Sequence, residues 1–414
     1  MTSPSDKDAA ASKTTQKFHK KRERILDAAA ELINQSGIKG MTFVEVAKLV
    51  GLNTTSVTYY FKRKEQLAAA VLERSLTTLE GLIKQASQEP DARSRVRQLI
   101  RLHCDLRANI RLNKTSPLAA LTDLRALDDP HRSQLLSRYY QLFNGVEAFF
   151  PKAKNKRDQF LLSARAHILL NTMLWLPAWS IPYSISDFPR VQQRLFELFE
   201  MGLLEENQQI WQPRLLTQND AELDNRQDGI PDQFLRAATS LINELGYRGA
   251  SVERISSELN VTKGSFYHHL PTKDDLVREC FRHSYHRITL IQRDASTIEG
   301  NYWHKLSSVL ATLLHIQLSS EFPLLKPTAW QPLPRELRSD IQLRTDRYAQ
   351  RFSSLLIDGI SDGSLRSVDP LLTAQVIIYM LNAAYDLRHQ LNGISPEQAV
   401  EFYASVLTRG LFVP

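Results

Sequence analysis

One segment of this chain occurs twice, and that limits the fold more than any composition does. Sliding the 414-residue sequence against itself brings Gly37 onto Gly246, a separation of 209. The same separation pairs Leu26 with Leu235, Leu32-Ile33-Asn34 with Leu241-Ile242-Asn243, Thr42 with Ser251, Val46 with Ile255, Lys64 with Lys273 and Leu67 with Leu276. Arg138-Tyr139 and Phe143 meet Arg347-Tyr348 and Phe352 in that register, and Gly202-Leu203 meets Gly410-Leu411 at 208. A period this long is a duplicated domain pair rather than a solenoid repeat. The length also suits two to four domains.

Most segments carry apolar residues at three- and four-residue spacing, such as Ile25, Leu26, Ala29, Leu32, Ile33 and, late in the second copy, Leu371, Leu372, Val376, Ile377, Met380, Leu381, Ala384. Strand patterns are scarce, so the chain reads as all-α. The expected organisation is a flexible basic arm over 1–20, a first helix-turn-helix over 21–70 and a first larger helical domain over 71–212. A linker over 213–230 follows, then a second helix-turn-helix over 231–282 and a second helical domain over 283–414. The linker assignment rests on the polar stretch 217–228 between Pro213 and Pro231.

No uninterrupted apolar run reaches the ~18 residues that a membrane span needs; the longest candidate, Ile168 to Trp179, is broken by Asn171, Thr172 and Pro177. The first residues lack the apolar stretch of an export signal, so a cytosolic location is expected. Cys104 and Cys280 stand in no metal or disulfide spacing and read as buried apolar residues. A net charge of +7 permits nucleic-acid binding without establishing it. No nucleotide-binding glycine loop, catalytic triad spacing or paired-carboxylate motif is present, so neither an enzyme nor a cofactor is expected, and no metal site either.

Thr42 precedes the periodic run Phe43, Val46, Ala47, Val50, with Glu45 three residues after it, which predicts a reciprocal capping box. Gly51 suits a left-handed turn, Leu52 pins it, and Asn53 caps a second short helix to about Phe61. The second copy repeats this with Ser251 as cap, Val252 and Ile255 in the core, Asn260 at the turn, Val261 as pin and Thr262 as cap. Thr272 and Asp275 are placed to cap the next helix reciprocally. Two short helices joined by such a turn form the unit whose second helix enters the major groove of DNA.

At these residues the chain resembles a known family. The run Val261-Thr262-Lys263-Gly264-Ser265-Phe266-Tyr267-His268-His269-Leu270, followed by Thr272-Lys273-Asp274-Asp275-Leu276, is similar to the signature of TetR-type regulators. The first copy resembles it in Ile25-Leu26-Asp27-Ala28-Ala29, Gly37, Thr42 to Ala47, Val57-Thr58-Tyr59-Tyr60-Phe61 and Lys64-Glu65-Gln66-Leu67, but carries Thr55 and Thr58 where the family has Gly and Tyr. The signature covers about 45 residues of each half. The resemblance implies a three-helix DNA-binding part, then a helical ligand-binding and pairing part, acting in the family as a homodimeric repressor released by a small molecule. Here the two fused units are expected to form an intramolecular pseudo-dimer, with Phe160 to Trp175 and Phe188 to Met201 packed against Leu371 to Tyr385 and Pro396 to Leu407.

The DNA-binding set is Thr42, Thr54, Thr55, Ser56, Thr58, Tyr59, Tyr60 and Lys64 in the first head, and Ser251, Lys263, Gly264, Ser265, Tyr267, His268, His269 and Lys273 in the second. Thr54, Thr55, Thr58, Tyr59, Lys263, Gly264, Tyr267 and His268 are expected in the groove, and Tyr60, His269, Lys64 and Lys273 on phosphates. The run Lys17, Lys20, Lys21, Arg22, Arg24 reads as an arm tracking phosphates. For a small-molecule effector the candidates are His103, Tyr139, Trp175, Trp303, Trp330 and Tyr348. The expected partners are an operator in duplex DNA and an effector, with a homodimer of chains as a further option. The alternative is a sensor or scaffold of the same fold whose heads no longer read DNA.

Overall fold

Two glycines bend the chain at the same place in each copy. Gly37 (φ 67°, ψ 174°) and Gly246 (φ 74°, ψ 166°) break the helical path inside the first helix of each head, a conformation that glycine adopts without steric cost. The computed structural model describes residues 4–205, 211–216, 231–319, 322–326, 333, 335–391 and 393–413, with side chains excepted at 4–14, 123, 126, 248, 268, 269 and 335–337.

The first copy comprises α1 (Pro4–Gly40), α2 (Phe43–Val50), α3 (Thr54–Tyr60), α4 (Lys64–Ala86), α5 (Ala92–Arg111), a 3-10 turn (Leu121–Ala126), α6 (His131–Glu147), α7 (Lys156–Leu174), the short α8 (Leu176–Trp179) and α9 (Phe188–Met201). The second comprises α10 (Asp232–Gly249), α11 (Val252–Glu258), α12 (Lys263–His269), α13 (Lys273–Thr297), α14 (Tyr302–Ser319), α15 (Arg335–Ser361), α16 (Pro370–Leu387) and α17 (Pro396–Thr408). Among the described residues there is no strand, and no helix is long and apolar enough to cross a membrane.

The expectation of a flexible arm over 1–20 is corrected, because α1 runs as helix from Pro4. The absence of a core pattern there was a poor guide. Residues 25–33 already anchor the helix in the core, so extension needs only propensity, which Ala9-Ala10-Ala11 supply.

α7, α9, α16 and α17 form the four-helix bundle that joins the copies, as expected. α7 buries residues around most of its circumference, including Phe160, Leu161, Ala164, Ile168 and Leu169, the pattern of a helix enclosed by others. Fully burying side chains such as Phe160, Phe199 and Leu407 contributes roughly 1.5–3 kcal/mol each. The pairing is reciprocal. Leu203 N donates to Thr408 O at 3.0 Å and Leu411 N donates to Phe199 O at 2.7 Å. Only glycine fits at both crossings: a Cβ on Gly202 would lie 2.4 Å from Thr408 O, and one on Gly410 2.5 Å from Glu200 O. Trp175 stacks on Tyr379 across the junction, with ring centroids 5.6 Å apart.

The start of the expected linker is part of the second copy's surface. Arg214 N and Leu216 N donate to Ser308 Oγ and Thr312 Oγ1 of α14, each at 3.0 Å, and Trp211 lies against Trp303. Residues 217–230 lie outside the described residues.

Candidate nucleic-acid interface and effector cavity

Each reading helix is held by caps and one or two apolar anchors, which leaves its other side to solvent. Glu45 N donates to Thr42 Oγ1 at 3.2 Å, and Gly51 takes the left-handed conformation (φ 67°). Ser56 N donates to Asn53 Oδ1 at 2.7 Å, starting α3. The reciprocal half of the expected box is different: the Glu45 carboxylate accepts from the Thr42 hydroxyl at 2.9 Å instead of from the Thr42 amide. A hydroxyl that accepts from an amide still has a proton to place, and a carboxylate is its strongest acceptor. Thr272 and Asp275 behave in the same way.

In α3, Val57 is buried, and Phe61 just past its end is too. Thr55 and Tyr59 are exposed, and Thr54, Ser56, Thr58 and Tyr60 are half-buried. The Thr58 hydroxyl donates to Thr55 O at 3.0 Å, so toward a base it offers acceptor lone pairs and a methyl. The second head repeats the geometry: Arg254 N to Ser251 Oγ, Asn260 at φ 54°, and Ser265 N to Thr262 Oγ1. Phe266 is the buried anchor of α12, Lys263, Gly264 and Tyr267 are exposed, and Ser265 is half-buried. His268 and His269 lie on α12, and their side chains fall outside the described residues.

The three lysines among the candidates are all engaged within the protein. Lys64 Nζ donates to Lys39 O at 2.7 Å. Lys273 Nζ donates to Tyr247 O and lies 4.1 Å from the centre of that ring. Both lysines thus tie the helix after the reader to the end of the head's first helix. Lys263 pairs with Glu253 on α11 at 2.5 Å, and the Lys263 hydrogen bond holds the Glu253 carboxyl down to about 2. Glu253 aligns with Val44 of the first head, so only the second reader carries this internal partner.

The N-terminal extension reaches the first reader. Phe18 packs on Tyr60 at 4.7 Å and edge-on to Tyr59 at 6.2 Å. Arg22 lies over Phe61, and Arg24 donates to Val50 O at 2.8 Å. The basic run therefore divides: Arg22 and Arg24 brace the head, while Lys17, Lys20 and Lys21 face solvent.

A cavity of about 500 Å³ lies in the first copy's helical domain, against α10 and α16 of the second. It brings together three of the six effector candidates, His103, Tyr139 and Trp175. Trp303 and Tyr348 do not line it. Trp303 is core packing against Trp211, and Tyr348 is buried in a ring cluster with Tyr285 and Phe352. Trp330 lies outside the described residues.

The cavity's polar groups set its chemistry. His103 and His167 are each lowered to about 4 by burial, hence neutral at pH 7. His103 Nδ1 lies 2.9 Å from Leu99 O, and His167 stacks on Phe143 at 4.3 Å. His103 Nε2, His167 Nδ1, Arg107 Nε and Asn382 Nδ2 are buried with no partner among the described residues. Lys326 bonds Asp386 at 2.7 Å, and Arg125 donates to Tyr140 Oη at 3.4 Å. Sequence reasoning missed Arg107, Arg125, Lys326 and Asp386. Arg107 had a visible signal, since it continues the spacing Leu99, His103 along the buried face of α5.

Asparagines join each head to this region. Asn34 Nδ2 donates to Leu118 O and Ala120 N to Asn34 Oδ1, both at 2.8 Å. Asn243 makes the same pair of bonds with Leu324 O and Lys326 N at 2.9 Å.

Comparison with known proteins agrees with this architecture. The pattern described as "Bacterial regulatory proteins, tetR family" matches residues 25–71 and 234–280, and that described as "Tetracyclin repressor-like, C-terminal domain" matches 300–411. The Transposon Tn10 TetC protein of Escherichia coli is 35% identical over 80 residues, 18% of this chain and 38% of that one. The HTH-type transcriptional regulator RutR of Escherichia coli is 31% identical over 86 residues, 21% and 41% respectively. The matches thus span about two fifths of those relatives' own length. Among solved structures, the regulator FadR from Bacillus subtilis in complex with stearoyl-CoA is 20% identical, covering 42% of this chain and 95% of that one at a TM-score of 0.33. With both heads matched and the same helical framework built twice, this chain belongs to the TetR family of DNA-binding regulators, in a tandem form that carries two units on one polypeptide.

Proposed function

We propose that this chain is a repressor that sets two unlike DNA-reading heads on one asymmetric operator and leaves it when a small molecule fills the cavity. The observation that carries this reading is the opposite charge of the two heads. Residues 13–67 hold eleven basic and five acidic side chains, net +6, whereas 228–276 hold five and seven, net −2. Phosphate attraction therefore favours the first head. The readers differ as well: Thr54, Thr55 and Thr58 suit thymine methyls and donor edges, whereas Lys263 is a guanine donor that must first leave Glu253. A homodimer reads a palindrome because its heads are identical, and fusion removes that constraint.

Selection of bound sequences from a random pool tests this, repeated with Lys263→Ala. Two unlike half-sites, one of them altered by the substitution, are expected. A palindrome, or a pattern indifferent to Lys263, overturns the idea of two distinct readers. The pinned lysine and negative charge of the second head favour a second reading, in which that head only braces the first. A single half-site in the selection identifies that case.

A further inference from the structure

We infer that the cavity is a single site per chain for an amphipathic organic acid: an apolar body, one oxyanion group held by Arg107 and Arg125, and a hydroxyl or N–H donated to His103 Nε2. This rests on the effector reading above and gives it a ligand class.

Charge carries the first part. Three cations, Arg107, Arg125 and Lys326, line the cavity with one carboxylate, Asp386, and that carboxylate is bonded to Lys326 at 2.7 Å. Among the described residues no carboxylate bonds either guanidinium. The neutral histidines leave the imbalance unchanged. The pKa of Arg107 is lowered by burial and by the neighbouring Arg111, and Arg125 has to share the field of Asp386 with Lys326. Such an under-neutralised pair of guanidiniums is a costly arrangement, and a planar oxyanion group matches their donor fork.

The donor follows from the His103 tautomer. Leu99 O can only accept, so Nδ1 bears the ring proton, and Nε2 is left with a buried, unpartnered lone pair on a residue of the cavity wall. Neutral imidazole in that tautomer selects a ligand hydroxyl or N–H. The remaining wall is mostly apolar, with Leu106, Ile110 and Leu136 among its residues, and 500 Å³ suits a molecule of modest size.

The single stoichiometry comes from the second copy. Counted from the caps Asp91 and Asn301, His103 corresponds to Leu313 and Arg107 to Gln317. Leu313 is fully buried, and Gln317 spends its amide on Leu381 O and Leu324 N. Counted from Arg63 and Thr272, Leu72 and Leu76 become Phe281 and Tyr285. Those rings continue into Tyr348 and Phe352, with centroids 5.6–6.5 Å apart, and fill the core. One ligand nevertheless reaches both heads. Asn34 of α1 and Tyr247 of α10 both line the cavity, and Tyr247 O is the carbonyl that Lys273 holds.

The test is calorimetric titration of the full chain with 3-hydroxyalkanoates of six to twelve carbons and hydroxylated phenylalkanoates, each beside its primary amide and its deoxy parent. At least one acid is expected to bind at one equivalent per chain, with its amide weaker by about tenfold or more, the loss typical of a charge-assisted bond. Arg107→Gln and Arg125→Gln should each erase most of the acid-over-amide preference, and Arg107→Lys should keep part of it. His103→Leu should erase the hydroxyl preference and leave the acid preference intact. Melting curves identify any variant that fails to fold, and the wild-type acid, amide and deoxy comparison stands without them. Two equivalents per chain, equal binding of acid and amide, or no binding by any acid at millimolar concentration overturns the inference. Release of a labelled operator is read separately: an acid that binds as stated without weakening DNA binding overturns the effector reading and leaves the ligand class standing.

Discussion

Glu253 and Lys263 offer a test of the second head at the level of one side chain. Their bond is solvent-exposed and adds little to stability, but any base contact by Lys263 requires it to open. Glu253→Gln should therefore tighten DNA binding by the second head and raise the share of guanine at its half-site, measured by repeating the selection. An unchanged half-site would show that Lys263 does not read bases. Lys64→Ala should weaken all sequences alike and flatten the salt dependence of affinity by about one unit, as expected for one phosphate contact. A full slope with a lowered melting temperature would mean that Lys64 serves only its bond to Lys39 O. The buried histidines make a pH prediction. His103 and His167 are depressed to about 4 from 6.5, so between these values the unfolded chain binds more protons and stability falls as pH drops. Each unit of depression is worth about 1.4 kcal/mol. Urea midpoints should decline from pH 7 to pH 4.5, and His167→Leu should blunt the decline; a pH-independent midpoint argues against both shifts.

At the level of elements, legibility followed the range of the interactions. The heads were readable because caps and turns are made by residues three or four apart: Asn53 with Ser56, Thr262 with Ser265, and Gly51 and Asn260 in the left-handed region. The cavity was only half readable, because Lys326 and Asp386 come from the other copy and no local pattern announces that they face His167. Trp303 and Tyr348 were misplaced for a related reason: an aromatic residue fills a core as readily as it lines a pocket, and only the neighbouring Tyr285 and Phe352 decide which. The helical arm was missed because propensity acts beside an existing helix without any apolar pattern. The glycine crossings belong to this scale too. Gly202→Ala or Gly410→Ala puts a Cβ within 2.4–2.5 Å of a backbone oxygen at a positive φ, and each should cost roughly 2 kcal/mol or more. Thermal melts measure this, and an unshifted midpoint would mean that the α9 and α17 ends separate freely.

For the molecule as a whole, the paired bundle predicts a single-chain mass of 47.3 kDa by light scattering, with both heads on one particle; a stable species of twice that mass would instead present four. The reciprocal bonds of Leu203 with Thr408 and Leu411 with Phe199 have a further result for dose. A regulator assembled from separate subunits falls apart on dilution, and its occupancy of DNA then follows the square of subunit concentration. Here the partner surface arrives on the same polypeptide at an effective concentration of roughly millimolar, so dilution does not separate the halves. Operator occupancy should rise with the first power of chain concentration down to the lowest copy numbers. A few molecules per cell would then give a graded response where a dissociating pair gives a threshold.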